Sequence, residues 1–472
     1  MAQQPDVQNS QAIVKSFRIY HNTVTDFKSI KESDAYNDIT DVYNSFSIHE
    51  TILNPFITAT VSVTDTNNLL TEMPIIGGEI VRIKFIPPGG DATDERDLVF
   101  RIAKISGVLI VEKRQHFTLH LLSYAGFKNI STRISRAFNG DATTIVDNIF
   151  YQYLFTKMDR SAEKGLNFDN SLSNLKFVCP NWSPAKAIQY AMRYAYVRDK
   201  GVDLPNFFFY ETLNDFYFLN TSTLFDRQKN VCVTDKYDET LANRPQGKIT
   251  KGYHYKQPGI PIVGADGLPR SNLVGDESYQ NVDDFLVDDE NTYAEDILSG
   301  NITNSNVTHD IFHKSYTVKE FNYHDDFDNF PRLGKNRKYV RYKDVGENKH
   351  IAGLFTPKHS RNHSDTAGFF GERATYSDTT ALNRNQIVKQ LFEEVVSNFE
   401  VPGHTLINAG KLVEFNFPSA REVNNLAKAY DKHRKGLYLI RDCIHKIQNQ
   451  GGGKAVYKCN MNIVKDGYHD VE

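Results

Sequence analysis

Residues 57–64 alternate without a slip: Ile57, Ala59, Val61 and Val63 are apolar, while Thr58, Thr60, Ser62 and Thr64 carry hydroxyls. A period of two belongs to a strand with one buried face. The opposite face is polar yet uncharged. Five more stretches before residue 126 read the same way: IVKSFRIY, SFSIHETI, GEIVRIKFI, LVFRIAKIS and HFTLHLLSY. Turn material such as Pro87-Pro88-Gly89-Gly90 interrupts them. Six short strands predict a small barrel or sandwich over residues 1–126.

The period then lengthens. In DATTIVDNIFYQYL, Ile145, Ile149 and Tyr153 fall four apart, with Asp141 or Thr143 placed to cap the first turn. In NWSPAKAIQYAMRYAYV, Ser183 is the N-cap and Pro184 the first helical residue, where a missing N–H costs nothing. Ile188, Met192 and Ala195 form the apolar stripe. NFFFYETLNDFYFLN reads as an aromatic hairpin around Asn214-Asp215. Residues 127–230 are therefore predicted to be a helix-containing insert.

Strand signals return in KGYHYKQ, SYTVKEFNY, VVSNFEV, KLVEFNF, LYLIRDCI and KAVYKCNMNIV. They assign 231–258, 308–330 and 385–472 to a second β unit, with 259–307 and 331–384 as loop-rich insertions. The first insertion carries Asp283, Asp284, Asp288, Asp289 and Glu290. Behind it, Arg332, Lys335, Arg337, Lys338, Arg341 and Lys343 make a basic stretch, read either as a solvated loop or as a docking patch for an acidic partner.

Distant parts of the chain resemble each other. GEIVRIKFIP (78–87) and GKLVEFNFP (410–418) share Gly, Val and Phe in step at an offset of 332, with Pro following in each. Val81, Ile83 and Phe85 thus match Val413, Phe415 and Phe417 on the buried face. Arg82 and Lys84 match Glu414 and Asn416 on the other. VFRIAKI (99–105) follows LYLIRDC (437–443) at offset 338, and FTLHL (117–121) follows YKCNM (457–461) at offset 340. Buried positions keep their type while exposed ones change chemistry, so the repeated element is architectural.

Composition narrows the function. The chain has 472 residues, enough for several cores, and its 31 Phe and 25 Tyr favour pleated sheet. A formal net charge of −3 gives no whole-chain basic excess of the kind that grips nucleic acid. No apolar run reaches the length of a membrane span, and MAQQPDVQNSQ lacks the layout of a secretory signal. Cys179, Cys232, Cys443 and Cys459 are scattered and read as free thiols of a reducing compartment, a metal site across domains being the alternative. His309 and His313 have the spacing of a zinc-protease helix, but Asp310 replaces the glutamate base and the flanking sequence is strand-like. His359 and His363 share that spacing in a polar loop. With no G-x-S-x-G elbow and no phosphate loop, no catalytic, cofactor-binding or metal residue is predicted.

Taken together, IHETILNPFITATVSVTDTNNLLTEMPIIGGEIVRIKF (48–85), RISRAF (133–138), NWSPAKAI (181–188), FFFYETLNDFYFLNTSTL (207–224), THDIFHKSYTVKEFNYHDDF (308–327) and VPGHTLINAGKLVEFNFPS (401–419) carry a resemblance. The chain resembles the baseplate hub subunit of contractile-tailed, T-even-like bacteriophages. The module is related to the N-terminal part of type VI secretion spike proteins. The resemblance implies a β-rich α+β fold with two tube-like antiparallel β-barrel domains and a helix-containing insert between them. It implies a homotrimer forming a pseudo-sixfold ring in the virion tail, made in the host cytoplasm. One side of that ring meets the tail tube and other baseplate proteins; the other holds a central spike, expected as a separate chain. DNA passes through without specific binding, and Thr58, Thr60 and Ser62 become candidates for the channel wall. The stretches 276–296 and 340–380 look like additions to the family core. A tail-tip wall hydrolase and a glycan-binding adhesin are the competing readings.

Overall fold

A computed structural model describes residues 11–155 and 164–226 apart from short breaks, Asn230, separate strands between 253 and 358 with their connection 323–334, residues 394–416 and, with brief breaks, 431–467. The chain is mostly strand. In the first part, β1 (Gln11–Tyr20), β2 (Tyr43–Thr51), β3 (Thr58–Asp65), β4 (Ile80–Ile86), β5 (Arg96–Val111) and β6 (Arg114–Ser123) pair side by side in the order β2-β3-β6-β5-β4-β1. Every pairing is antiparallel. Ala59, Val61 and Val63 of β3 are buried, whereas Thr58 is exposed and Thr60 and Ser62 are half-buried.

The insert follows. α1 (Tyr124–Ser131) leads to α2 (Ala142–Ile149), whose N-cap is Asp141; its carboxylate accepts from the Thr144 amide at 2.8 Å. Ile145 and Ile149 are buried and Tyr153 is half-buried. α3 (Pro184–Tyr194) starts with Ser183 at the cap and proline at its first position, burying Ala187, Ile188 and Ala191, while Met192 stays half-buried. β7 (Phe207–Glu211) and β8 (Phe216–Asn220) form the aromatic hairpin, with Glu211 opposite Phe216. Among the described residues no helix is long and apolar enough to cross a membrane.

In the remainder, β9 (Tyr253–Tyr255), β10 (Asp284–Asp289), β14 (Glu394–Pro402), β15 (Leu412–Asn416), β16 (Gly436–Gly451) and β17 (Lys454–Val464) join the same large sheet. Between β10 and β14 in the chain lie β11 (Thr303–Asp310), β12 (Ser315–Asn322) and β13 (Gly353–Lys358), which make a separate three-stranded sheet. The order within the large sheet is β10-β14-β17-β16-β15-β9. That is the order of the first six strands over again, although β9 runs parallel to β15 where β1 runs antiparallel to β4.

Registers repeat as well as order. Val81 lies opposite Phe100 and Val413 opposite Tyr438, which preserves offsets of 332 and 338. A bulge falls between Ile102 and Lys104 and again between Ile440 and Asp442, positions related by 338. Gly78 and Gly410, related by 332, both take positive φ, 88° and 83°. A β-carbon on Gly410 would collide with the Tyr210 hydroxyl, so that turn admits only glycine. The last strand corrects the sequence reading: Leu119 pairs with Ile105 where Met461 pairs with Cys443, an offset of 342, not 340. A slip of two leaves every side chain on its face, which is why alternation alone could not fix it. Val81, Ile83, Phe85, Val413 and Phe415 are buried; Phe417 lies outside the described residues.

Three further boundaries differ from expectation. Strands from residues 1–126 do not close on themselves: the far half of the β16–β17 hairpin fills the gap, β16 pairing with β2 and β17 with β1. Eight strands thereby form a closed circuit, β16-β2-β3-β6-β5-β4-β1-β17. The acidic stretch assigned to an insertion supplies β10, paired antiparallel with β14. Residues 308–330, assigned to the second β unit, contribute β12 to the separate sheet instead.

One continuous apolar core runs through both repeats, with Phe17, Phe46, Phe85 and Phe100 from the first and Phe399, Phe415 and Tyr457 from the second. Phe85 and Tyr457 meet edge to face at 5.9 Å across the junction. Glu50, at the end of β2, is buried there. Its carboxylate accepts from the Leu213 amide of the insert, and from the Ala409 amide at 3.0 Å and the Asn408 side chain in the second repeat. Glu211 does the same for the insert, accepting from the Ile57 amide, the Ser123 hydroxyl and Lys164.

Candidate functional site

Because side chains alternate, fixing one face of β3 fixes the outward face of every strand paired to it. Thr60 sits opposite His120 of β6 on one side and Ser47 of β2 on the other. Ser47 lies opposite Lys446, and Lys446 opposite Lys458. The neighbouring row runs Thr58, His49, Ile444, Asn460 and Glu400. Ser62 stands between Thr118 and Ser45. Thr58, Thr60 and Ser62 thus belong to one sheet face that crosses from the first repeat into the second without a break.

Hydroxyls, amides and imidazoles dominate this face. Part of its charge is paired: Lys458 with Glu400 at 2.6 Å, and Asp442, which accepts from Asn462 at 3.0 Å and from Arg441. Burial, with the charges of Lys446 and His445, lowers the pKa of His49, so this imidazole stays neutral at pH 7. An open groove of about 630 Å³ runs along it, lined among others by His49, Thr58, Thr60, His120, Ile444 and Asn462. The face is wettable and presents no dense array of cations.

Beneath it lies a second constellation that the sequence reading did not find. Cys443, His445 and Cys459 are wholly buried, with their ligand atoms within 4.8 Å of one another. Residues 443 and 445 share a face by alternation, and Cys459 lies opposite His445 on β17; the C-x-H spacing on a strand was the available signal. His445 Nδ1 is 2.8 Å from the Tyr457 hydroxyl and 3.3 Å from Cys459 Sγ, whereas Nε2 is 3.6 Å from both Cys443 Sγ and Glu50 Oε1. Burial disfavours the imidazolium, but the neighbouring Cys459 sulfur and Glu50 carboxylate outweigh it, and the His445 pKa is pushed up to about 10. The two sulfurs approach different ring nitrogens, and each contacts a backbone carbonyl, of Ile407 or His404. Such a set ties strands together by hydrogen bonds.

Other candidates are not brought together. His309 lies on strand β11 opposite Tyr316, not on a helix, and His313, His359, His363 and Cys232 lie outside the described residues. Cys179 is buried in the insert, far along the chain from the other two thiols.

No family profile and no curated protein matches the sequence. Among solved structures, the chain is similar to the 43 kDa tail protein of prophage MuSo2 from Shewanella oneidensis, at a TM-score of 0.49 and 7% identity, over 96% of this chain and 98% of that one. It is similar to a tail protein from Neisseria meningitidis MC58 at 0.46 and 9%, over 96% and 97%. It is also similar to the E. coli c3393 protein, described as a type VI secretion component resembling the T4 tail proteins gp27 and gp5, at 0.38 and 8%, over 91% and 76%.

Proposed function

We propose that this chain is the structural hub of a contractile phage tail baseplate, built of two tube-like β barrels. Three copies form a pseudo-sixfold ring that joins the tail tube to a central spike and lets DNA pass. The observation that carries the reading is the repeat: two sets of six strands share their order, and β4, β5 and β6 match β15, β16 and β17 in register, bulge and glycine turn within one chain. A subunit with two near-equivalent units needs three copies to present six similar positions around an axis.

The polar face shared by the repeats serves as the channel wall in this reading. DNA sliding past a dense Lys/Arg lining would exchange its counterions for the wall and be held there. Hydroxyls, amides and paired charges wet the wall without gripping phosphate. The chain acts as scaffold and catalyses no reaction; its partners are the tube, the spike and other baseplate proteins of the virion. Native mass spectrometry of the purified chain, alone and with tail proteins, tests the stoichiometry. A hexamer, or a monomer under every condition, would defeat the proposal.

A further inference from the structure

One difference between the two repeats points to how copies join. In the second repeat the β16–β17 hairpin reaches beyond its own strands, and β16 pairs with β2. There Ile447 lies opposite Phe46, both wholly buried, and Lys446 lies opposite Ser47. The matching hairpin of the first repeat is β5–β6. Matching through the paired strand, Leu109 opposite His116 corresponds to Lys446 opposite Lys458, and Ile110 opposite Gln115 to Ile447 opposite Tyr457. Yet Val108, Leu109, Ile110 and Val111 are exposed, Ile110 at 67% against 0% for its counterpart. Four consecutive exposed apolar residues on a hairpin tip form a surface that water does not favour.

The counterpart of β2 is β10. Their registers against β3 and β14 place Ser45 with Asp284, Ser47 with Leu286 and Ile48 with Val287. Among the described residues β10 pairs with β14 alone, so its second edge has no strand against it. Leu286 on that edge is 56% exposed. Charge agrees: the hairpin carries Lys104, Lys113 and Arg114 against Glu112, whereas residues 283–290 read DDFLVDDE.

We infer that the β5–β6 tip of one copy adds antiparallel to the β10 edge of the next copy, with Leu109 opposite Leu286 and Ile110 entering the core beside Phe285. This rests on the ring reading above and names its interface. Within a chain the second hairpin stitches onto the first repeat; between chains the first hairpin stitches onto the second repeat. The contact is head to tail, so it closes into a ring after three copies instead of saturating as a dimer. The acidic stretch is thereby an assembly edge, and its carboxylates select the basic hairpin over other exposed strands.

The test is disulfide trapping together with one charge substitution, on the full chain. The Leu109→Cys, Leu286→Cys double variant, oxidised mildly, should give a covalent trimer on a non-reducing gel, and neither single variant should. Ile110→Asp, at an exposed position, should keep the wild-type circular dichroism but associate at least about a hundredfold more weakly, because assembly would bury an unpaired carboxylate. A wild-type trimer that persists in Ile110→Asp, with no cross-link in the double variant, would overturn this contact and leave the ring reading standing. A wild-type chain that remains monomeric by native mass spectrometry would sink the ring reading, and this contact with it.

Discussion

Glu50→Ala should be among the most damaging single substitutions in the chain. Glu50 is 1% exposed, and its carboxylate is shared by the insert, through the Leu213 amide, and by the second repeat, through the Ala409 amide, Asn408 and, on β16, His445 at 3.6 Å. Alanine leaves two buried backbone donors without that acceptor, at about 1–3 kcal/mol each. It also leaves His445 without its carboxylate, and breaking a buried pair costs about 3–5 kcal/mol. These contributions overlap, so a loss of about 4–6 kcal/mol is expected, a large share of the roughly 5–15 kcal/mol that holds a domain folded. Glu50→Gln keeps an acceptor oxygen but loses the charge, and should cost less, about 2–3 kcal/mol. Urea denaturation followed by circular dichroism reports the sheet; fluorescence of Trp182, the sole tryptophan, reports the insert. Both signals should shift together, since Glu50 touches both. A Glu50→Ala variant within about 1 kcal/mol of wild type would refute the assignment of Glu50 as the junction.

Val81→Asp and Phe415→Asp should each abolish soluble folded protein, because both positions are fully buried; Arg82→Ser, which gives up a half-buried pair with Asp97, should lose about 1–3 kcal/mol and still fold, and equal damage by solubility and circular dichroism would show the register to be wrong. His445 has its pKa raised from 6.5 to about 10, so its contribution is full below pH 6.5 and lost as pH rises through 10. The stability gap between wild type and His445→Gln should therefore narrow between those pH values, and a gap that widens would reverse the sign of this argument. Replacing Thr58, Thr60 and Ser62 together with Lys should leave assembly intact but slow DNA ejection at low salt, with recovery at higher ionic strength; normal ejection would place this face away from the channel. His309→Ala should leave the metal content of the purified protein unchanged, and stoichiometric zinc lost on that substitution would revive a hydrolase.

Legibility followed locality. The alternation of β3 and the caps of α2 and α3 depend on residues a few positions apart, and these could be read directly from the chain. The acidic strand β10 could not: DFLVDD lacks a clean alternation, and pairing with β14, more than a hundred residues later, makes it a strand. Closure of the first circuit by the final hairpin was hidden for the same reason, since Phe46 and Ile447 meet across some four hundred residues. The duplication was visible in Val81 and Val413, but its last offset slid by two because an alternating strand matches itself at every second position. The thiol–imidazole cluster emerged only once β16 and β17 were aligned, since Cys443 and Cys459 are sixteen residues apart with a hairpin between them.

The central claim is a ring of three chains with its shared polar face turned inward, and a cryo-electron-microscopy map of the purified assembly tests it most directly. The account predicts threefold symmetry, six similar β units alternating around an open lumen, and Thr58, Thr60 and Ser62 on the lumen wall. A ring of six chains, a particle without a lumen, or these three residues on the outer rim would contradict it.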